Sequence, residues 1–223
     1  MFIPGLSFGQ TKSSASKKAP GIQHVLLNAQ RLQLLFETSI LTKGLSDLTQ
    51  SDLTIKDCLK NSKASFITSK YDKFENLYDN VKYRPVKQTE CSFISDFTND
   101  LGANGWYFSG LLYSKVFNTL QYNTKKRAST VLDAFVFNFL QSLYNNFEGA
   151  LPSTISVHVL YLSKDFTEGE QNYNYNTESM ILSTSLKNLK NLVDNKITDT
   201  QFLKSASIYL LADDNNSFKK VVL

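Results

Sequence analysis

The chain has 223 residues, carries 24 Lys and Arg against 20 Asp and Glu, and is 42% hydrophobic. That apolar fraction excludes a wholly disordered chain, and no apolar run approaches the roughly 18–20 residues that a membrane span needs. The only cysteines, Cys58 and Cys91, stand far apart, which excludes a disulfide scaffold and a four-cysteine zinc site.

The formal charge of +4 is unevenly placed. Lys12, Lys17, Lys18 and Arg31 precede Glu37, the first acidic residue, and beyond Arg31 basic and acidic residues balance at 20 each. Residues 1–21 mix Gly, Ser, Lys and Pro and lack the apolar h-region of a secretory signal. They read as an extended basic arm leading into a single α+β domain over 22–223. Phe2, Ile3, Leu6 and Phe8 are candidate apolar anchors on a neighbouring subunit, with Lys12, Lys17 and Lys18 near an anionic surface.

From Gly21 the pattern becomes periodic. Ile22, Val25, Leu26, Ala29, Leu32 and Phe36 recur at spacings of three and four, which predicts an amphipathic helix ending near Gly44. Leu27, Leu34 and Leu35 widen the apolar face, so the helix is expected to be well buried. Ser-Asp pairs in the two SDLT copies, at 46–49 and 51–54, suit short-helix caps. Residues 64–69 suggest a short strand and 74–83 a short helix, which Arg84-Pro85 would stop. Asn104-Gly105 is a turn signal. Trp106, Phe108, Leu111, Leu112, Val116, Phe117 and Leu120 after it are expected to form a helix.

Val131 through Phe147 predicts a strongly apolar helix starting near Ser129, with Thr130 and Asp133 as its start signature and Gly149 and Pro152 as its stop. After Pro152 the period becomes two, so 154–162 is expected to be a strand. A polar loop over 163–178 contains Asp165, Glu168, Glu170 and Glu178. A helix through Leu186, Leu189, Leu192 and Val193 follows, then a terminal hairpin of 207–211 and 218–223. The expected fold is α+β: a helix-rich N-terminal two-thirds with a small, mainly antiparallel sheet formed largely by the C-terminal third.

Motifs for chemistry are few. His24 and His158 lie on different elements, far from both cysteines, and no zinc spacing occurs, so no metal and no cofactor are expected. A Cys58 or Cys91 thiol beside His158 is the one nucleophilic arrangement worth naming, and no G-x-S-x-G elbow accompanies it. Gly102, Gly105 and Gly110 lack the Lys-Ser/Thr of a phosphate loop. Asp213-Asp214 and Glu168/Glu170 fall in polar loops, where solvated turn residues are the default. Lys125, Lys126 and Arg127, just before the expected helix start, could converge on an anion or nucleic acid.

The sequence therefore points first to a non-enzymatic assembly subunit of a multiprotein complex, of virion or phage-particle type. Its partners would be other protein subunits, in a homo- or hetero-oligomer. A nucleic-acid-binding module using the arm and Lys125–Arg127 is the alternative, followed by an enzyme with an unrecognised site. No small-molecule substrate and no membrane contact are expected, and the location would be cytoplasmic or in a virion, neither secreted nor transmembrane.

Overall fold

The structure, a computed structural model, describes residues 22–49, 67, 69–80, 94–98, 104–166, 175–211 and 217–223. Its centre is a six-stranded sheet in the order β1-β2-β3-β4-β5-β6. The strands are β1 (Ile94–Thr98), β2 (Asn104–Asn118), β3 (Thr154–Lys164), β4 (Asn176–Ser185), β5 (Ser207–Leu211) and β6 (Lys219–Val221). The helices are α1 (Ile22–Thr49), α2 (Tyr71–Asn80), α3 (Thr124–Val131), α4 (Phe137–Phe147), α5 (Leu186–Val193) and α6 (Asp199–Ser205), with a π-helical turn, Leu132–Val136, joining α3 to α4.

The sheet is mixed. β2 and β3 run parallel, while the four pairings outside them are antiparallel. A parallel pair needs a crossover, and the continuous run α3–π–α4 supplies it. Two layers of helix cover the sheet. On one face Phe108, Val157, Val159, Tyr161, Met180 and Leu182 pack against α2, α3, α4, α5 and α6 through Phe74, Val131, Phe139, Leu143, Leu189 and Phe202. On the other face α1 lies over Tyr107 and Ile181 through Ile22, Val25 and Ala29, and over Leu160 and Leu162 through Phe36. Every residue of β3 is buried, as a strand covered on both faces must be.

This architecture corrects the expected fold. The sheet is neither small nor confined to the C-terminal third: β1 and β2 precede it, β2 is the longest strand at 15 residues, and its pairing with β3 is parallel. The expected helix at Trp106–Leu120 is β2. Its apolar alternation through Trp106 and Phe108 is broken by register shifts between Phe108 and Leu111 and between Leu112 and Val116, and these shifts imitate helical spacing. Gly110, at the first shift, has a φ of 69°, a region that non-glycine residues rarely occupy.

Other boundaries also move. α3 starts at Thr124, where the Asn123 side chain accepts from the Lys126 N–H, rather than near Ser129. Its run ends at Phe147, with Gly149 at a φ of 76° beyond it, as the stop signal suggested. Helix α1 runs through Gly44 to Thr49. Ile67 is helical and Ser69 lies in a turn, so these two residues of the expected 64–69 strand are not extended. Strand β4 occupies the end of the expected loop. The terminal hairpin is present as β5 and β6, paired Ile208 to Val221 and Leu210 to Lys219.

Candidate functional site

Among the candidate groups, Lys125, Lys126, Arg127 and His158 lie in the described residues. Phe2, Ile3, Leu6, Phe8, Lys12, Lys17 and Lys18 lie outside the described residues, as do Cys58, Cys91, Glu168, Glu170, Asp213 and Asp214 and the His24 side chain.

Lys125, Lys126 and Arg127 do not form one surface cluster. They occupy the first turn of α3 rather than a preceding loop, so their directions are set by helical rotation of 100° per residue. Lys125 and Lys126 point to solvent, and the Lys125 Nζ donates to the Val222 carbonyl at 3.2 Å. Arg127 turns inward, with 4% of its surface exposed, and forms an ion pair with Glu178 of β4. Its guanidinium also donates to the Tyr122 carbonyl and, at 3.2 Å, to Thr124 Oγ1. Glu178, fully buried, accepts from Ser163 Oγ at 2.8 Å. Glu178, expected at the end of a polar loop, is therefore a buried ion-pair partner on β4. Arg127 Nε and Glu178 Oε2 have no hydrogen-bond partner among the described residues. The pair ties α3 to the centre of the sheet, and desolvating both charges makes each dependent on the other.

His158, on the α1 face of β3, is fully buried. Its Nδ1 accepts from the Gly110 N–H at 3.3 Å, which leaves the neutral ring's proton on Nε2. The Tyr107 ring stacks at 6.5 Å and Phe218 packs edge-on at 6.3 Å. Burial pushes the imidazole down to about 3 and pushes the Tyr107 phenol up. An imidazole so desolvated is neutral across the physiological range and closed to solvent, the environment of a packing residue rather than a general base. Among the described residues no group of three or more His, Cys, Asp or Glu could hold a metal ion.

One open cleft of about 310 Å³ lies between α4 and α5 and is lined by Asp133, Phe137, Gln141, Leu192, Asn195 and Asp199 among others. Asp194 and Lys196, on either side of the lining residue Asn195 in sequence, form an exposed ion pair at 2.8 Å, in which the hydrogen bond from Lys196 lowers Asp194 and the same bond raises Lys196. The cleft brings carboxylates and amides together without a nucleophile beside a base.

No protein-family model, no curated protein and no solved structure matches the chain. Among the described helices none is long and apolar enough to cross a membrane.

The least expected surface is on α1. Leu27 is 58% exposed, Leu34 56% and Leu35 47%, although their place beside the periodic apolar residues predicted burial. The side facing the sheet is filled by Ile22, Val25, Ala29, Gln33 and Phe36. At 100° per residue, Leu27 and Leu34 lie opposite that side, with Leu35 on its flank. Gln33 fixes the rotation: its Nε2 donates to the Thr177 carbonyl at 2.8 Å and its Oε1 accepts from Ser179 Oγ at 2.6 Å. Sequence periodicity alone could not reveal this, because α1 carries apolar residues around most of its circumference.

Proposed function

We propose that the chain is a non-enzymatic subunit of a larger protein assembly, of virion or phage-particle type. The observation that carries this reading is the outward leucine face of α1. Isolated exposed leucines are ordinary, but three within nine residues of one helix make a patch of the kind found at protein–protein contacts. The occupant we assign is the N-terminal segment of a second copy, through Phe2, Ile3, Leu6 and Phe8. The 21 residues before Ile22 can span about 70 Å when extended, enough to reach an adjacent subunit. Binding leucine to phenylalanine and isoleucine would remove apolar area from water on both sides, at about 25 cal/mol per Å² before the cost of ordering the segment.

Light scattering coupled to size exclusion tests this reading, using the wild type, Leu27→Glu/Leu34→Glu and a deletion of residues 1–21. We expect a concentration-dependent oligomer for the wild type and monomers for both variants, with unchanged far-UV circular dichroism. A wild type that stays monomeric at every concentration, or an oligomer indifferent to both changes, refutes it.

A further inference from the structure

A second surface arises from the fold, which brings Lys219 and Lys220 toward lysines that the sequence alone had grouped with Arg127. Lys125 and Lys126 at the start of α3 stand more than 90 residues before Lys219 and Lys220 of β6 in sequence. The hydrogen bond from Lys125 Nζ to the Val222 carbonyl at 3.2 Å brings the two segments together, because Val222 follows β6 directly. All four lysines are exposed, and among the described residues none takes part in an ion pair. Arg127, by contrast, is withdrawn into the core.

Among the described residues β6 is the last strand of the sheet, and its outer side there is an edge. Lys219 pairs with Leu210, whose side chain belongs to the helix-covered core on the α3 side. Lys220 pairs with Tyr209, which packs on the α1 side. The two lysines therefore straddle the edge, as successive strand residues must. Lysines at an edge strand also discourage pairing with another chain, which by itself would account for Lys219 and Lys220. It does not account for Lys125, whose Nζ reaches Val222, or for Lys126 next to it in sequence, where cations in the first turn of α3 oppose the helix dipole.

We propose that this edge, formed by Lys125, Lys126, Lys219 and Lys220, binds the phosphate backbone of a nucleic acid. Lysine is a compact cation that contacts phosphates without reading bases, so the binding is sequence-independent and falls with salt as counterions are released. Four contacts to a single strand give a slope of roughly −2.8 in log affinity against log salt, close to a 50-fold loss between 50 and 200 mM.

The test is fluorescence anisotropy of a labelled 20-nucleotide oligothymidylate with the full chain across that salt range. Lys125→Gln/Lys126→Gln and Lys219→Gln/Lys220→Gln should each make the slope shallower by about 1.4 units, and the quadruple variant by about twice that. Lys187→Gln/Lys190→Gln, which neutralises two exposed lysines of α5, should leave it unchanged. No binding by the wild type at 50 mM, a slope unaltered in the quadruple variant, or an equal change in the α5 control overturns the proposal. The proposal is independent of the assembly reading, whose readout is mass in solution.

Discussion

His158 gives the protein a built-in acid sensitivity. In the native state burial holds the imidazole at about 3, whereas the unfolded chain returns it to its ordinary value of 6.5. Above 6.5 both states are neutral and the residue contributes no pH dependence. Below 6.5 the unfolded state binds a proton that the native state refuses, so stability falls as pH falls, by about 1.4 kcal/mol per unit until the native value is reached. Between pH 8 and pH 5 the loss is about 2 kcal/mol, a large part of the stability of an ordinary domain. Tyr107, stacked on the ring, is neutral throughout that window because burial moves it upward. Urea denaturation at pH steps from 8 to 5, for the wild type and His158→Asn, isolates the effect. Asparagine keeps an acceptor near the Gly110 N–H but does not titrate. Subtracting the two stability curves cancels the other groups. The difference should be flat above pH 7 and then narrow by about 2 kcal/mol by pH 5. A difference that stays flat to pH 5 would falsify the burial argument, because the native imidazole would then be accepting its proton normally.

Two further perturbations probe the buried ion pair and the bulge in β2. Arg127→Met strands the Glu178 carboxylate in the core with Ser163 as its hydrogen-bond donor, and should cost about 3–5 kcal/mol by urea denaturation; Arg127→Met/Glu178→Leu should recover most of it. Equal losses in single and double variants would mean that packing, not the stranded charge, is responsible. Gly110→Ala forces a side chain into a φ of 69° and should lower stability by about 1–2 kcal/mol, read as a fall in thermal midpoint; an unchanged midpoint would show that the bulge relaxes without cost.

How much of this was legible in the sequence depends on how far apart the deciding residues lie. Helix α4 was legible because Phe139, Leu140, Leu143 and Phe147 keep one period and Gly149 ends it. Strand β3 was legible for the same reason at period two. Strand β2 was not, because a bulge at Gly110 and a second shift before Val116 change which face each later side chain takes. Strand β4 was obscured by Glu178, Ser179 and Ser183, polar residues that look solvated until their partners are known. Those partners, Arg127, Gln33 and Ser156, are remote in sequence, and a local pattern cannot pair them. The same holds for the lysine edge, where a neutral count of charges over the body hid a local excess. The start of α3 was misplaced because Thr130 and Asp133 resemble a capping pair, while Asn123 caps the helix.

The rotation of α1 shows what such remote pairs decide. Apolar burial alone decides the orientation only weakly, since turning the helix to bury Leu27 and Leu34 would gain about 1.5–3 kcal/mol for each while exposing Ile22, Val25 and Phe36 at a similar cost for each. Turning it would also carry Gln33 away from Ser179 and the Thr177 carbonyl, leaving buried polar groups unpaired at about 1–3 kcal/mol each. It would withdraw Phe36 from Leu160 and Leu162 and open a gap beneath the helix. The polar bonds supply direction where hydrophobicity is nearly symmetric, and the leucines are left outside as a consequence of how the helix is pinned. An apolar face held outward by buried hydrogen bonds is fixed in place in the subunit alone, so the docking we propose there would require little reorganisation of α1 itself.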